Sequence, residues 1–299
     1  MQKTIAQGIW AASLTPLFPD FTCDHETLAS HCFDLLQKGC AGVVLFGTTG
    51  EGPSFSVVER LEALDKLISK GLPPNKIILG NGSSSIPDTI ALARGALRHG
   101  CAATLISPPS FFKAVKEEGV IAFYRAIIEG VGSPDLSILL YHIPQYSGVA
   151  ITMRIVEKLR QEFPGQVVGL KESEGNRELV RLILQTFPGF QLFVGGEKQI
   201  VEAVQLGAAG SICGLANLYP NTLQKLYIAA SEKRGDMTEV ITLLSDTVKH
   251  YPFIASAKAV MEARRGSSWH TLRPPLVPLE PPQREALLAS LKTLPQDLS

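Results

Sequence analysis

The chain has 299 residues, of which 45% are hydrophobic and 19% are charged, enough for a large buried core in one or two α/β domains. Its 28 basic and 28 acidic residues give a formal net charge of zero, which gives no indication of a nucleic-acid partner. No apolar run approaches a membrane span, the amino terminus lacks the apolar core of a signal peptide, and the five cysteines show no C-x-x-C spacing. We therefore expect a cytoplasmic protein with no membrane partner.

Apolar runs of strand length alternate with amphipathic runs of helix length. Strands are predicted at residues 8–17, 41–47, 76–82, 102–107, 136–143, 166–171, 190–194 and 210–213. Helices are predicted between or after them at 24–38, with Asp24 as N-cap, and at 57–70, 87–99, 118–129, 152–162, 177–186, 199–206 and 221–233. Strands that are apolar throughout are buried on both faces. Eight such units in roughly 230 residues favour a (β/α)8 TIM barrel over a doubly wound sheet.

The remaining residues form helical patterns only. Helices are predicted at 236–249, 254–264 and 282–291, and the proline-rich stretch 273–282 cannot be a long helix, so it links the last two. We therefore predict a catalytic barrel over residues 1–235 and a C-terminal helical domain over residues 236–299.

The sixth predicted strand ends on Lys171, in Val-Val-Gly-Leu-Lys-Glu-Ser. TIM barrels carry their chemistry at the carboxyl ends of the strands, and burial among apolar neighbours disfavours the ammonium form of a lysine. Part of Lys171 would then be a free amine that can attack a ketone. The ordinary alternative is a solvated lysine that closes a strand, and on position alone this alternative is the commoner case.

Other strand ends offer groups that would converge on the same mouth. The second strand leads into Gly47-Thr48-Thr49-Gly50-Glu51-Gly52, whose glycines, hydroxyls and N–H groups suit a carboxylate, although the stretch could be an ordinary glycine-rich turn. Without a Gly-Lys-Ser/Thr ending it is not a nucleotide-binding P-loop. After strands seven and eight, Gly195 and Ile212 are expected to line a substrate site, because the small residues near them leave room.

The fifth strand ends in Leu140-Tyr141-His142-Ile143-Pro144. A tyrosine that points into the mouth could relay protons, whereas a core tyrosine bonded to backbone is the commoner case. His142 alternates with Tyr141, so we expect it to point away from the mouth and to be structural. The six histidines show no H-x-H or H-E-x-x-H spacing, and we predict no catalytic metal.

Three motifs taken together are far more specific than any one of them. Gly47-Thr48-Thr49-Gly50-Glu51, Tyr141-His142-Ile143-Pro144 and Gly169-Leu170-Lys171-Glu172 resemble the dihydrodipicolinate synthase / N-acetylneuraminate lyase family. Leu14-Thr15-Pro16 and the stretch from Arg273 to Leu279 are also similar to that family, so the resemblance covers the whole length. It implies a (β/α)8 barrel with C-terminal helices, a homotetramer or homodimer, and class I aldolase chemistry on a small 2-oxo acid, pyruvate, without a cofactor.

The resemblance also implies roles for individual residues. Lys171 would form the Schiff base with pyruvate, and Tyr141 would carry protons to and from the reacting atoms. Thr48 would relay protons through its hydroxyl, and Thr49, with the N–H groups of the loop at Gly47, would hold the pyruvyl carboxylate.

Two departures from the synthase pattern bear on the substrate. Tyr146 occupies the position of an arginine that binds the carboxylate of aspartate semialdehyde, and Phe112 corresponds to a tyrosine that the synthase donates across a subunit interface. Tyrosine cannot form the bidentate pair that arginine forms with a carboxylate.

The leading hypothesis is thus a pyruvate-dependent aldolase or lyase that acts on a 2-keto-3-deoxy sugar acid or a similar hydroxylated 2-oxo acid. The enzyme alternative is dihydrodipicolinate synthase itself. A third hypothesis, motivated by the missing hydroxyl at Phe112, is a non-catalytic barrel that binds a 2-oxo acid.

Overall fold

Eight parallel strands close into a barrel in the computed structural model of the chain, which describes residues 4–234 and 238–294. The strands are Gly8–Ala12 (β1), Gly42–Leu45 (β2), Ile77–Asn81 (β3), Ala103–Ile106 (β4), Ile138–His142 (β5), Val167–Glu172 (β6), Gln191–Val194 (β7) and Gly210–Cys213 (β8). Each pairs with its neighbour in sequence, and β1 closes the barrel by pairing with β8. The predicted TIM barrel is confirmed.

Helices alternate with the strands and continue after β8. Their bounds are His25–Gln37 (α1), Val57–Ser69 (α2), Ile86–Arg98 (α3), Glu117–Val131 (α4), Pro144–Ser147 (α5), Met153–Glu162 (α6), Arg177–Thr186 (α7), Ile200–Gln205 (α8), Pro220–Ser231 (α9), Thr238–Lys249 (α10), Phe253–Arg265 (α11) and Pro281–Lys292 (α12). Asp24 caps α1 as predicted, because its carboxylate accepts the N–H of Thr27 at 3.0 Å. No helix in the described part of the chain is both long and apolar enough to cross a bilayer.

The first strand differs most from its prediction, because it ends at Ala12 rather than at residue 17. Ser13 still donates its N–H to the carbonyl of Val44 in β2 (3.0 Å), but Leu14 donates to the side chain of Asn217 instead (2.9 Å). The chain therefore leaves the sheet while remaining apolar and buried, and apolar composition alone does not mark that departure.

Two predictions fall on residues outside the described ranges. The helix predicted to begin at 236 is described only from Thr238. The division of the chain into 1–235 and 236–299 also lies there, so it stays a prediction.

Two apolar cores result from the alternation of side chains along the strands. One core fills the barrel and includes Trp10, Leu139 and Phe193, and the other lies between the barrel and its helices and includes Ile9 and Leu140. Tyr141 belongs to the inner core, so β5 places this side chain on the inner face of the barrel.

All five cysteines are free thiols, and burial raises the pKa of each to about 12. The thiolate is the reactive form of cysteine, so these side chains act as packing residues.

Burial of His31 makes the stability of the fold sensitive to acid. The ring lies edge-on to Trp269 at 4.9 Å and is 2.9 Å from the side-chain oxygen of Asn217, and desolvation lowers its pKa from 6.5 to about 4. Because the folded pKa lies below the unfolded one, His31 contributes stability above pH 6.5 that is lost as the pH falls toward 4. We expect a loss of up to about 3 kcal/mol from this group by pH 4. Urea unfolding of the wild type and of His31→Gln between pH 4 and 8 measures this loss. If the free energy of unfolding depended on pH equally in both proteins, His31 would not be its source.

Candidate active site

Lys171, Tyr141 and Thr48 meet at the carboxyl end of the barrel. The register of β5 and β6 pairs Tyr141 directly with Lys171. Lys171 Nζ lies 3.2 Å from the Tyr141 hydroxyl, which lies 3.3 Å from the Thr48 hydroxyl, and the lysine is only 5% exposed. These three groups form a continuous path from an amine to two hydroxyls, along which a proton can move.

The loop that carries Thr48 and Thr49 has an unusual backbone. Phe46 and Glu51 adopt positive φ angles of 53° and 57°, a conformation that costs of order 1 kcal/mol for a non-glycine residue. A Cβ on Gly52 would lie 1.8 Å from the carbonyl oxygen of Phe46, so this glycine serves the packing of the loop itself.

A buried ion pair holds this loop against the C-terminal helices. Glu51 and Lys258 of α11 are 0% and 1% exposed in their side chains and form a salt bridge. Glu51 also accepts the N–H of Arg273 at 2.8 Å, and Lys258 donates to the carbonyl of Thr271 at 2.7 Å. Burial lowers the pKa of Lys258, although Glu51 opposes that shift. The position of the loop therefore depends on residues from the far end of the chain.

Two cavities flank the catalytic candidates. The larger, here the front chamber, has a volume of about 600 Å³ and is lined by the predicted site residues Thr48, Thr49, Tyr141, Lys171, Gly195 and Ile212. The smaller, here the side chamber, has a volume of about 260 Å³ and is lined by Gly47 as well as Thr48 and Tyr141. Six of the seven predicted residues thus share one chamber, and Gly47 faces the other.

Ser173 also faces the front chamber, two residues after Lys171 on the same side of the chain. A Cβ on Gly195 would lie 2.1 Å from the Ser173 hydroxyl oxygen and 3.1 Å from the carbonyl oxygen of Glu172. Gly195 therefore makes room for the serine, whose hydroxyl lines the same chamber as Lys171.

We expect Gly195→Ala to lower both stability and turnover. The new methyl group must displace Ser173 or the end of β7, and overpacking of this kind costs about 1–3 kcal/mol. Urea unfolding and steady-state kinetics measure the two effects. Gly119→Ala is the matched control, because nothing lies within 4 Å of its added Cβ in α4, and it should be neutral or slightly stabilising. Equal behaviour of the two variants would refute the packing argument.

Glu197 and Lys249, two charged side chains of the front chamber, pair with each other. Glu197 is buried, and its carboxylate accepts the N–H of Leu215 at 3.2 Å and the ammonium of Lys249 at 2.5 Å. Gln145 donates to the carbonyl of Ser173 at 2.7 Å. These groups fix the walls of the chamber.

The two positions that depart from the synthase pattern are exposed. Tyr146 is 68% exposed at the rim of both chambers, and Phe112 is 69% exposed and lies edge-on to Phe111 at 5.4 Å. Phe112 lines neither chamber of its own chain.

His142 turns away from the mouth, as predicted, and takes part in a structural cluster. Its Nδ1 accepts the N–H of Ile151 at 3.0 Å, so the neutral ring carries its proton on Nε2, which donates to Glu174 at 3.0 Å. One oxygen of Glu172 accepts the N–H groups of residues 174, 175 and 176. Ligand atoms of His142, Glu172 and Glu174 lie within 4.8 Å of one another. A metal on Nε2 of His142 would place the ring proton on Nδ1, which could then no longer accept the N–H of Ile151. We infer that the hydrogen bonds of this cluster stabilise the loop after β6.

The sequence interpretation missed Ser173, the pair Glu51–Lys258 and the C-terminal wall of the chamber. Ser173 could have been found from its spacing of two after Lys171. The other two are contacts between distant segments, for which no local pattern exists.

The sequence and the fold of this chain are similar to those of known lyases, synthases and aldolases. The chain is 34% identical over 292 residues to a DapA-like lyase of Chloroflexus aurantiacus, covering 96% of this chain and 97% of the relative. Dihydrodipicolinate synthase from Agrobacterium tumefaciens superposes with a TM-score of 0.89 at 31% identity, covering 96% and 99% of the two chains. A variant of 2-keto-3-deoxygluconate aldolase from Sulfolobus solfataricus shares the fold, with a TM-score of 0.86 at 22% identity and 96% coverage of each chain.

The sequence profile of one enzyme family matches residues 5–294, nearly the whole chain. Its members are lyases and aldolases that use a lysine Schiff base with pyruvate, which confirms the prediction of a carbon–carbon lyase or synthase and not of a non-catalytic barrel. This chain belongs to the dihydrodipicolinate synthetase family.

Proposed function

We propose that the chain is a pyruvate-dependent aldolase or lyase that acts on a 2-keto-3-deoxy sugar acid or a similar hydroxylated 2-oxo acid. The observation that carries this proposal is the buried amine of Lys171, within hydrogen-bond distance of the Tyr141 hydroxyl at the closed end of a chamber large enough for substrate.

In the proposed mechanism Lys171 attacks the ketone carbon of the 2-oxo acid, and water leaves as the imine forms. Tyr141 donates and accepts the protons of these steps and removes the proton from the 4-hydroxyl as the C3–C4 bond breaks, and C4 leaves as the carbonyl carbon of an aldehyde. The electrons of that bond enter the protonated imine, which becomes an enamine. Protonation at C3 and hydrolysis then release pyruvate, so the chemistry needs no metal or other cofactor.

The Thr48–Thr49 loop is proposed to hold the carboxylate of the substrate. Gly50, Glu51 and Gly52 donate their N–H groups to carbonyls within the loop. Thr48 and Thr49 line the front chamber, and their N–H groups and hydroxyls are the donors that we assign to the carboxylate. This arrangement would orient the ketone toward Lys171.

Borohydride reduction in the presence of pyruvate, followed by peptide mass mapping, tests the Schiff base. We expect one pyruvyl adduct per chain, on Lys171. An adduct on another lysine, or none at a pyruvate concentration shown to bind, would contradict the proposal.

Dihydrodipicolinate synthase is the second candidate, supported by the likeness to the Agrobacterium tumefaciens enzyme. The exposed phenol of Tyr146 offers a single hydrogen bond where a semialdehyde carboxylate needs a cation. We therefore expect condensation of pyruvate with aspartate semialdehyde to be slow beside the best aldolase substrate, and a coupled assay for the condensation product compares them.

Assembly and location remain predictions. The exposed pair Phe111 and Phe112 is consistent with a homotetramer or homodimer, and light scattering tests it. The cytoplasmic location and the division at residue 235 rest on the sequence interpretation alone.

A further inference from the structure

The front chamber continues outward from Lys171 to a wall made by the C-terminal part of the chain. The start of α11 and the segment before α12 supply it. We call this surface the outer wall, and its residues are Phe253, Ile254, Leu272, Pro275, Leu276 and Val277. All six side chains are hydrocarbon, and Val277 at the rim remains 70% exposed.

Two polar side chains that line the chamber, Glu197 and Gln145, already form hydrogen bonds within the protein, and the Tyr146 hydroxyl lies at the exposed rim. Both carboxylate oxygens of Glu197 are occupied, by Leu215 and by Lys249, and the amide of Gln145 donates to Ser173. A polyhydroxylated chain lying along the outer wall would give up hydrogen bonds to water that the hydrocarbon side chains of the wall cannot replace. The Ser173 hydroxyl lines the same chamber two residues after Lys171 and is not part of the outer wall.

The charged residues of the chamber also argue against a polar group at the distal end of the substrate. Among the described residues that line it, Lys171 and Lys249 are the cations, and Lys249 is paired with the buried Glu197. A carboxylate or phosphate at the distal end of a substrate would therefore have no free cation as partner.

We propose that the aldehyde partner of pyruvate carries an apolar aliphatic or aromatic tail, which lies against the outer wall. This inference rests on the proposed function and selects, among hydroxylated 2-oxo acids, those whose only hydroxyl is the one at C4. In the synthetic direction, C3 of the Lys171-bound enamine attacks the aldehyde carbon and one C–C bond forms. The aldehyde oxygen takes a proton from Tyr141, and water hydrolyses the imine to release a 4-hydroxy-2-oxo acid and the free lysine.

A homologous series of aldehydes tests the contact. With saturating pyruvate, kcat/KM is measured for propanal, butanal, pentanal and hexanal, for benzaldehyde, and for D-glyceraldehyde as the polar reference. Each methylene group removed from water raises the expected kcat/KM about fourfold until the wall is covered. Pentanal should therefore exceed D-glyceraldehyde by about tenfold or more.

Two variants place the effect on the outer wall. Val277→Ser should lower kcat/KM for hexanal about threefold to tenfold, and by a larger factor than that for D-glyceraldehyde. Val58→Ser is the matched control, since Val58 is 73% exposed, comparable to Val277, and lines neither chamber. Val58→Ser should change kcat/KM for neither aldehyde.

The outcomes separate this inference from the proposed function. If pyruvate traps on Lys171 but D-glyceraldehyde reacts faster than every apolar aldehyde, the apolar tail is wrong and the aldolase stands. A rate that does not rise with chain length, or an equal effect of Val58→Ser and Val277→Ser, also overturns the apolar contact. If pyruvate does not trap at all, the proposed function fails first.

Discussion

Lys171→Met should abolish turnover without destabilising the fold. Methionine has nearly the shape of the lysine stem but no amine, so neither the imine nor the electron sink can form, and we expect kcat/KM to fall by roughly 10⁴-fold or more. The Lys171 side chain is almost completely buried and forms no salt bridge with the described residues, so methionine can fill its space without leaving a counter-ion unpaired. The melting temperature should therefore stay unchanged or rise.

Steady-state kinetics, the borohydride assay and thermal unfolding measure these effects on one preparation. Lys198→Met is the matched control, because Lys198 is half-exposed and pairs with Asp246 at 2.6 Å on the outer surface. It should keep the pyruvyl adduct and full turnover. Residual activity of Lys171→Met above about one per cent would mean that Lys171 is not the nucleophile.

Glu51→Gln should cause the largest loss of stability. It leaves the ammonium of Lys258 buried without its counter-ion, and such a change costs about 3–5 kcal/mol, or roughly 10 °C in melting temperature for a chain of this size. Because Glu51 also anchors the loop at Thr48 and Thr49, the KM for pyruvate should rise as well.

The double variant Glu51→Gln/Lys258→Met isolates the electrostatic part of this effect. Removing both charges eliminates the uncompensated ammonium, so the double variant should be more stable than Glu51→Gln alone. Glu62→Gln is the control for an exposed pair, since Glu62 lies 2.9 Å from Lys66 on the surface of α2. This substitution should not measurably change the free energy of unfolding. A double variant less stable than the single one would indicate that shape, not charge, holds the loop.

The catalytic candidates could be identified from the sequence because their placement follows from local patterns. An apolar strand that ends on Lys171, a strand that ends on Tyr141 and a glycine-rich turn at Thr48 are each visible in a few residues. In a closed parallel barrel all strand ends converge on one mouth, so topology alone brings the three together. The side-chain alternation of β5 then separates Tyr141 from His142.

The limits of individual elements were harder to predict. The apolar residues after Ala12 continue the composition of β1, but Leu14 bonds to the side chain of Asn217 instead of to a strand. The partner of the Leu14 N–H depends on how β8 and the turn after it pack against β1. That packing cannot be predicted from the local sequence of β1.

The sequence by itself predicted the barrel, the family and a candidate for the reacting group, Lys171, because periodicity and strand-end motifs are local properties. Only the tertiary structure decided how the reacting group is held and what it faces. Glu51 accepts the backbone N–H of Arg273 although 222 positions separate them, and Phe253 and Leu276 line the same chamber as Lys171. Such contacts arise because burial of the C-terminal helices against the barrel brings distant side chains together, and no spacing along the chain encodes that approach.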